Sequence, residues 1–208
     1  MQNAKLKRTS GLREFLQAAR PEDLDQAITA VRAFLANAPP GDPELAGSLW
    51  LLGVLLLNRF DRAGDEAYLD DAIEAGRQAV AACPPGNPQL AGILSDLGAS
   101  LRTRFERAGN GADLEAAIEA GQQAVDATPP NHPDRVLRLS NLANSLRNRF
   151  EWTRDAADLE AAIEVGRQAV DLTPPDHPQR GAMLSNLAIS LRNRFEWTGD
   201  AADLVLQG

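Results

Sequence analysis

Residues 139–159 read LSNLANSLRNRFEWTRDAADL and residues 184–204 read LSNLAISLRNRFEWTGDAADL, so 19 of 21 positions are identical at a spacing of 45. Self-similarity at a fixed period marks a repeat architecture, in which no unit buries its own apolar face and each must stack on its neighbours. The same spacing runs along the chain. Phe15, Phe60, Phe105, Phe150 and Phe195 keep it, as do Leu24, Leu69, Leu114, Leu159 and Leu204. The pairs Pro39-Pro40, Pro84-Pro85, Pro129-Pro130 and Pro174-Pro175 keep it too, and the first unit is the most divergent.

Within the quoted stretch Leu139, Leu142, Ala143, Leu146 and Phe150 follow the i, i+3, i+4, i+7 spacing of one buried helix face. This predicts a helix over 133–153 and, after a short polar turn, a second over 156–173 that buries Leu159, Ala162, Ile163, Ala169 and Val170. The Pro pair ends the second helix, because proline lacks the amide donor and its ring clashes with the preceding turn. Pro43, Pro88, Pro133 and Pro178 suit the first turn of the next helix, with Asp42, Asn87, His132 and His177 in the capping position before them. The expected organisation is a single all-α domain over 1–208, built of antiparallel helix pairs. It comprises a divergent unit 1–42, repeats 43–87, 88–132 and 133–177, and a truncated last unit 178–208.

Composition agrees with thin helix-on-helix packing: hydrophobic residues make up 44% and aromatics only 5%. The net charge of -8 argues against a general nucleic-acid surface, which needs clustered Lys and Arg to release counterions. Cys83 is the single cysteine, so no internal disulfide forms and a reducing, cytoplasmic setting is expected. Met1 to Ser10 is polar and basic with no apolar core after it, and the longest apolar run, Leu49 to Leu57, falls far short of the ~20 residues that cross a bilayer. Neither an export signal nor a membrane anchor is expected.

The string Asn141-Leu142-Ala143, followed by Leu146, Ala162-Ile163, Ala169 and Pro174, resembles the tetratricopeptide pattern of large and small packing positions. Gly98 and Ala143 match the small residue of its first helix, Ala162 and Ala169 those of its second. The resemblance covers about residues 12 to 204 and implies a right-handed superhelical solenoid, although the unit here is 45 residues against the family's usual 34, with extra residues at both turns. With Arg-Phe-Glu before the first turn and Thr-Pro-Pro-x-His-Pro at the second, the long form is similar to arrays that precede caspase-like CHAT protease domains. That likeness implies a sensor or adaptor role beside an effector.

In tetratricopeptide arrays the first helices line a concave face whose polar residues hold partner peptides. The resemblance carries this role to Ser95, Ala99, Arg102 and Thr103; to Ser140, Asn144, Arg147 and Asn148; and to Ser185, Ile189, Arg192 and Asn193. In the first complete unit the positions are Trp50, Val54, Leu57 and Asn58. Arg102, Arg147 and Arg192 would then form a ladder suited to carboxylates, which the planar guanidinium binds bidentately. Trp50, Val54 and Leu57 would give an apolar pocket, so the expected ligand is an acidic extended peptide with a hydrophobic anchor. The competing reading pairs these arginines with acids of the next turn of their own helices. Arg59, Arg104, Arg149 and Arg194 are read as structural, with Asp65, Asp155 and Asp200 within a loop's reach. Trp152 and Trp197, which replace Arg62 and Arg107, either mark a contact patch or pack on the adjacent turn.

Signals of catalysis are sparse. His132 and His177 fall one per repeat, which places them ~10 Å apart by ordinary helix spacing. No Cys-x-x-Cys, His-Glu-x-x-His or phosphate-cradling Gly-Lys-Ser/Thr string occurs, so no metal and no cofactor are expected. Cys83 takes the place of Thr128 and Thr173 and reads as a packing residue. The Pro-Pro-x-x-Pro strings resemble ligands of proline-binding domains, but in this register they punctuate helices. At the end of the chain the fifth unit begins at Asp200 and leaves the pattern at Val205. The expectation is that Leu184, Leu187, Leu191 and Phe195 lose their cover, in a fragment of a longer protein or in one that self-associates there. The functional expectation is therefore a non-enzymatic protein or peptide-binding scaffold, with an oligomerisation module acting through the C-terminal helix as the alternative.

Overall fold

The computed structural model describes residues 20–39 and 41–199. Among these residues every regular element is an α-helix. Two compact units divide at Gln89/Leu90. The first holds α1 (Pro21–Asn37), α2 (Leu45–Ala63) and α3 (Glu66–Ala82); the second holds α4 (Leu90–Ala108), α5 (Gly111–Asp126), α6 (Arg135–Thr153), α7 (Ala156–Asp171) and α8 (Arg180–Thr198).

The pairs α2/α3, α4/α5 and α6/α7 pack as hairpins, and α6 and α8 each pack back on the second helix of the preceding hairpin. The periodic positions are the ones that go inside. Leu139, Leu142, Phe150, Leu159, Ala162 and Ile163 are all at most 2% exposed, and they belong to one apolar cluster that joins α6, α7 and α8. Fully burying a leucine, isoleucine or phenylalanine is worth about 1.5 to 3 kcal/mol, so this stripe holds the hairpins together. At the small position of α4 a Cβ on Gly98 would lie 3.1 Å from the Ala117 carbonyl oxygen, so the two backbones of that hairpin approach closely. In the first unit Leu24, Ile28, Leu52, Leu55 and Leu56 form the corresponding core.

The helix boundaries depart slightly from expectation. α6 starts at Arg135, so Pro133 sits in the turn ahead of the helix rather than in its first turn. The capping residues act there. Asp42 Oδ1 accepts from the Glu44 amide at 2.8 Å, Asn87 Oδ1 from Gln89 at 2.9 Å, His132 Nδ1 from Asp134 at 3.1 Å and His177 Nδ1 from Gln179 at 3.2 Å. α7 ends at Asp171, before the expected Thr173, whose buried hydroxyl donates to the Ala169 carbonyl at 2.6 Å. The other turn is closed by a left-handed residue: Gly64, Gly199 and, in the third repeat, Arg154 at φ 63°. Asp65, Asn110 and Asp155 then cap α3, α5 and α7.

Candidate functional site

The first helices α4, α6 and α8 lie side by side in the second unit, and their shared face carries the polar positions singled out above. The arginines on it are not free. Arg102 pairs with Glu106 on its own helix, Arg147 Nη1 with Glu151 at 2.7 Å, and Arg192 Nε with Glu196 at 3.6 Å. Each glutamate lies one turn beyond its arginine, the i,i+4 geometry in which helical side chains meet.

The asparagines extend this into a seam between repeats. Asn148 Nδ2 donates to Glu106 at 2.7 Å and Asn193 Nδ2 to Glu151 at 3.0 Å, so each acid serves an arginine on its own helix and an amide on the next. A second line runs beneath: Asn141 donates to Ser95 at 3.2 Å and Asn186 to Ser140 at 3.0 Å. Ser95, Ser140 and Asn148 are buried, so they belong to the repeat interface rather than to a ligand surface. Thr103 and Ser185 turn their hydroxyls to their own helices, onto Ala99 and Gly181. The Arg102 and Arg147 Nε atoms are buried with no hydrogen-bond partner among the described residues.

Two positions stand apart. Asn144 is partly buried, and among the described residues its side-chain amide makes no hydrogen bond. Arg192 is 63% exposed and only loosely paired. Between them on α8 lies the partly buried Ile189. In the first unit, on α2, Trp50, Val54 and Leu57 are half-buried, and Leu57 packs against that unit's core. Asn58 there donates to the Val54 carbonyl at 2.8 Å.

The other arginine series is structural, and Asp25, Asp113 and Asp158, which pair with Arg59, Arg104 and Arg149, are not the loop acids. Arg104 and Arg149 each grip an aspartate on the following helix with two nitrogens: Asp113 at 2.9 and 2.5 Å, Asp158 at 2.8 and 2.5 Å. Asp65 and Asp155 are the caps instead, and Asp200 lies outside the described residues. Arg149 also reaches back to Glu115 at 2.6 Å, and Arg194 to Glu160 at 2.7 Å. The bonds to Asp158, opposed by burial and reinforced by Glu115, raise the Arg149 pKa above its ordinary value. In the first unit Tyr68 replaces the aspartate; Arg59 stacks over its ring at 5.0 Å and pairs with Asp25 at 2.8 Å. Arg138, 7% exposed, bonds Thr128 Oγ1 at 2.5 Å, and burial lowers its pKa against the opposing pull of Asp134 and Asp96.

The expected uncovered end is corrected in part. Leu187 and Leu191 are each 5% exposed and belong to the cluster with α6 and α7, because the apolar stripe of α8 faces back onto α7, where Gly166 admits Leu187. Leu184 and Phe195 are partly exposed. Cys83 is free and half-buried at the end of α3, and burial pushes its thiol up. Among the described residues no three His, Cys, Asp or Glu side chains gather as a metal site, and no helix is long and apolar enough to cross a membrane.

Residues 137–179 match the tetratricopeptide repeat family model. No curated protein matches the sequence. Among solved structures the chain is similar to the nearly identical TPR-like repeats of a provisional kinesin light chain from Podosopora anserina, with a TM-score of 0.66 and 16% identity over 96% of this chain and 92% of that one. A Q17M form of the same protein gives 0.66 and 17% identity over 98% and 93%. The crystal structure of MamA gives 0.57 and 19% identity over 90% and 82%. These likenesses, with the repeat match, make the fold an all-α tetratricopeptide-like solenoid, a fold that generally mediates protein–protein interaction.

Proposed function

We propose that the chain is a protein-binding module that takes an extended segment of a partner across the first-helix face of α4, α6 and α8. The observation that carries the reading is Asn144. Its amide sits on a face where Asn148, Asn193 and the Arg102 and Arg147 head groups are engaged by glutamates, and among the described residues its own donors and acceptor are not used. An extended chain offers the backbone carbonyl and N–H groups that such an amide pairs with.

The pairing of Arg102 and Arg147 with their own glutamates moves the acid-recognition role to Arg192, which is exposed and weakly held. Ile189 supplies an apolar contact beside it, and Trp50, Val54 and Leu57 on α2 are an apolar patch of the first unit. An acidic segment with an apolar anchor is therefore still the partner this face fits. The Arg-Phe-Glu and Thr-Pro-Pro-x-His-Pro strings support a place in the sensor or adaptor arm of a larger effector.

The test is capture from lysate of the source cell with wild type, Asn144→Ala and Arg192→Glu, read by mass spectrometry. The proposal expects a partner enriched by wild type and depleted by both variants. Affinity for the purified partner should fall about tenfold for Asn144→Ala, the scale of one lost hydrogen bond. Identical protein lists for all three chains would sink it.

A further inference from the structure

Helices α6 and α8 are both 19 residues long and differ at four positions: Val136, Leu137, Arg138 and Asn144 of α6 stand where α8 has Gly181, Ala182, Met183 and Ile189. Two of the four have a task inside the fold. Val136 packs against the apolar cluster that joins α6, α7 and α8, and Arg138 is buried and bonded to Thr128. Leu137 and Asn144 are different. The leucine is 38% exposed, and the asparagine amide makes no hydrogen bond among the described residues.

Both lie on one face of α6. Seven residues make about two full turns, so Leu137 stands almost directly in line with Asn144, ~10 Å nearer the start of the helix. On the neighbouring first helices the position of Leu137 is taken by Gly92 and Ala182, so the leucine projects beyond the residue on either side. Between these two levels the charged residue of the face is Asp96 of α4, which is half-buried and acts on the buried Arg138. The strip is otherwise made of serine, asparagine and small or apolar residues. An ion brought here by a partner would lose water with no free opposite charge to meet, so the segment that fits is uncharged. An extended chain rises about 3.3 Å per residue, and three residues therefore cover the distance from Leu137 to Asn144.

We propose that Leu137 sets the specificity of the first-helix face: an extended, uncharged stretch of the partner runs along α6, rests an apolar side chain on Leu137, and three residues away pairs its backbone N–H and carbonyl with the Asn144 amide. This selection rests on the reading of that face as a binding surface. Contact with Leu137 rewards an apolar side chain through burial, whereas an amide that holds the backbone is indifferent to the side chain of the residue it holds. Sequence preference therefore belongs to Leu137 and register to Asn144. The acidic residue for Arg192, on α8, lies outside this stretch.

The probe is a displayed library of random twelve-residue peptides, selected in parallel on the full chain, on Leu137→Ala and on Asn144→Ala. The two variants copy Ala182 and Ala99, which hold the same places in neighbouring repeats, so both are compatible with the fold, and circular dichroism checks them. The expected result is a wild-type pool that shares one apolar position, a Leu137→Ala pool that has lost that preference, and an Asn144→Ala pool that keeps it at about tenfold weaker affinity. N-methylation of single residues in a selected peptide should weaken wild-type binding about tenfold at the residue three positions from the apolar one, and have no effect there on Asn144→Ala. An apolar preference unchanged by Leu137→Ala, or a sensitive residue at another spacing, overturns the proposal and leaves the binding face standing. No enrichment on the wild type would sink the binding face itself, and the role of Leu137 with it.

Discussion

Asp42, Asn87, His132 and His177 do one job with three chemistries: each accepts a hydrogen bond from the backbone amide two residues on, just ahead of a first helix. For the two histidines this requires Nδ1 to be the acceptor, which leaves the proton of the neutral ring on Nε2. His132→Asn copies the residue at Asn87 and should leave stability unchanged, whereas His132→Ala should cost about 1 kcal/mol, the usual net value of one hydrogen bond. Urea denaturation of the two variants checks this. Asn144 is the opposite case. Its amide makes no hydrogen bond among the described residues, so Asn144→Ala should leave the urea midpoint where it is and change only binding; a clear loss of stability would show that the amide serves the fold.

The helices themselves were legible because their signals are local. The i, i+3, i+4 stripe around Leu142 and the diprolines placed the described helices to within two or three residues, but the expected caps Asp42, His132 and His177 stand two residues ahead of the actual N-caps Glu44, Asp134 and Gln179 and close the turn before the helix instead. What escaped were contacts between elements. The partner of Arg149 is Asp158, nine residues on and on the next helix, and not Asp155, because Asp155 turns to the α7 amides. Glu106 and Glu151 hold Arg102 and Arg147 at i,i+4, the competing reading of the sequence, because that spacing is itself local. The seam from Asn148 to Glu106 joins residues 42 apart, and no local pattern announces it. Two predictions belong here. Asp158→Ala removes the buried half of a bidentate pair and should destabilise by about 2 to 3 kcal/mol, since it strands Arg149 with Glu115 alone. Arg154→Gly, at the left-handed position where three other repeats place Gly64, Gly109 and Gly199, should stabilise by up to about 1 kcal/mol, less whatever the Arg154 stack on Phe150 contributes. Thermal melts of both variants give the signs directly.

At the scale of the whole molecule the repeat explains why the candidate site is a helix face built of the same positions in successive hairpins. The seam that joins α4, α6 and α8 engages most polar groups of that face among the described residues and leaves Asn144, which stands where the next repeat has Ile189, together with the loosely paired Arg192. On the proposed reading, specificity comes from such departures from the period. The measurement that tests this most directly is site-specific photo-crosslinking in lysate of the source cell, with a photoreactive side chain at position 144 of α6 or at position 168 of α7. Gln168 is exposed on a second helix, away from the seam. A protein adduct that forms from position 144 and is absent from position 168 is the predicted result; adducts from position 168 alone, or none from 144, would contradict a partner on the first-helix face.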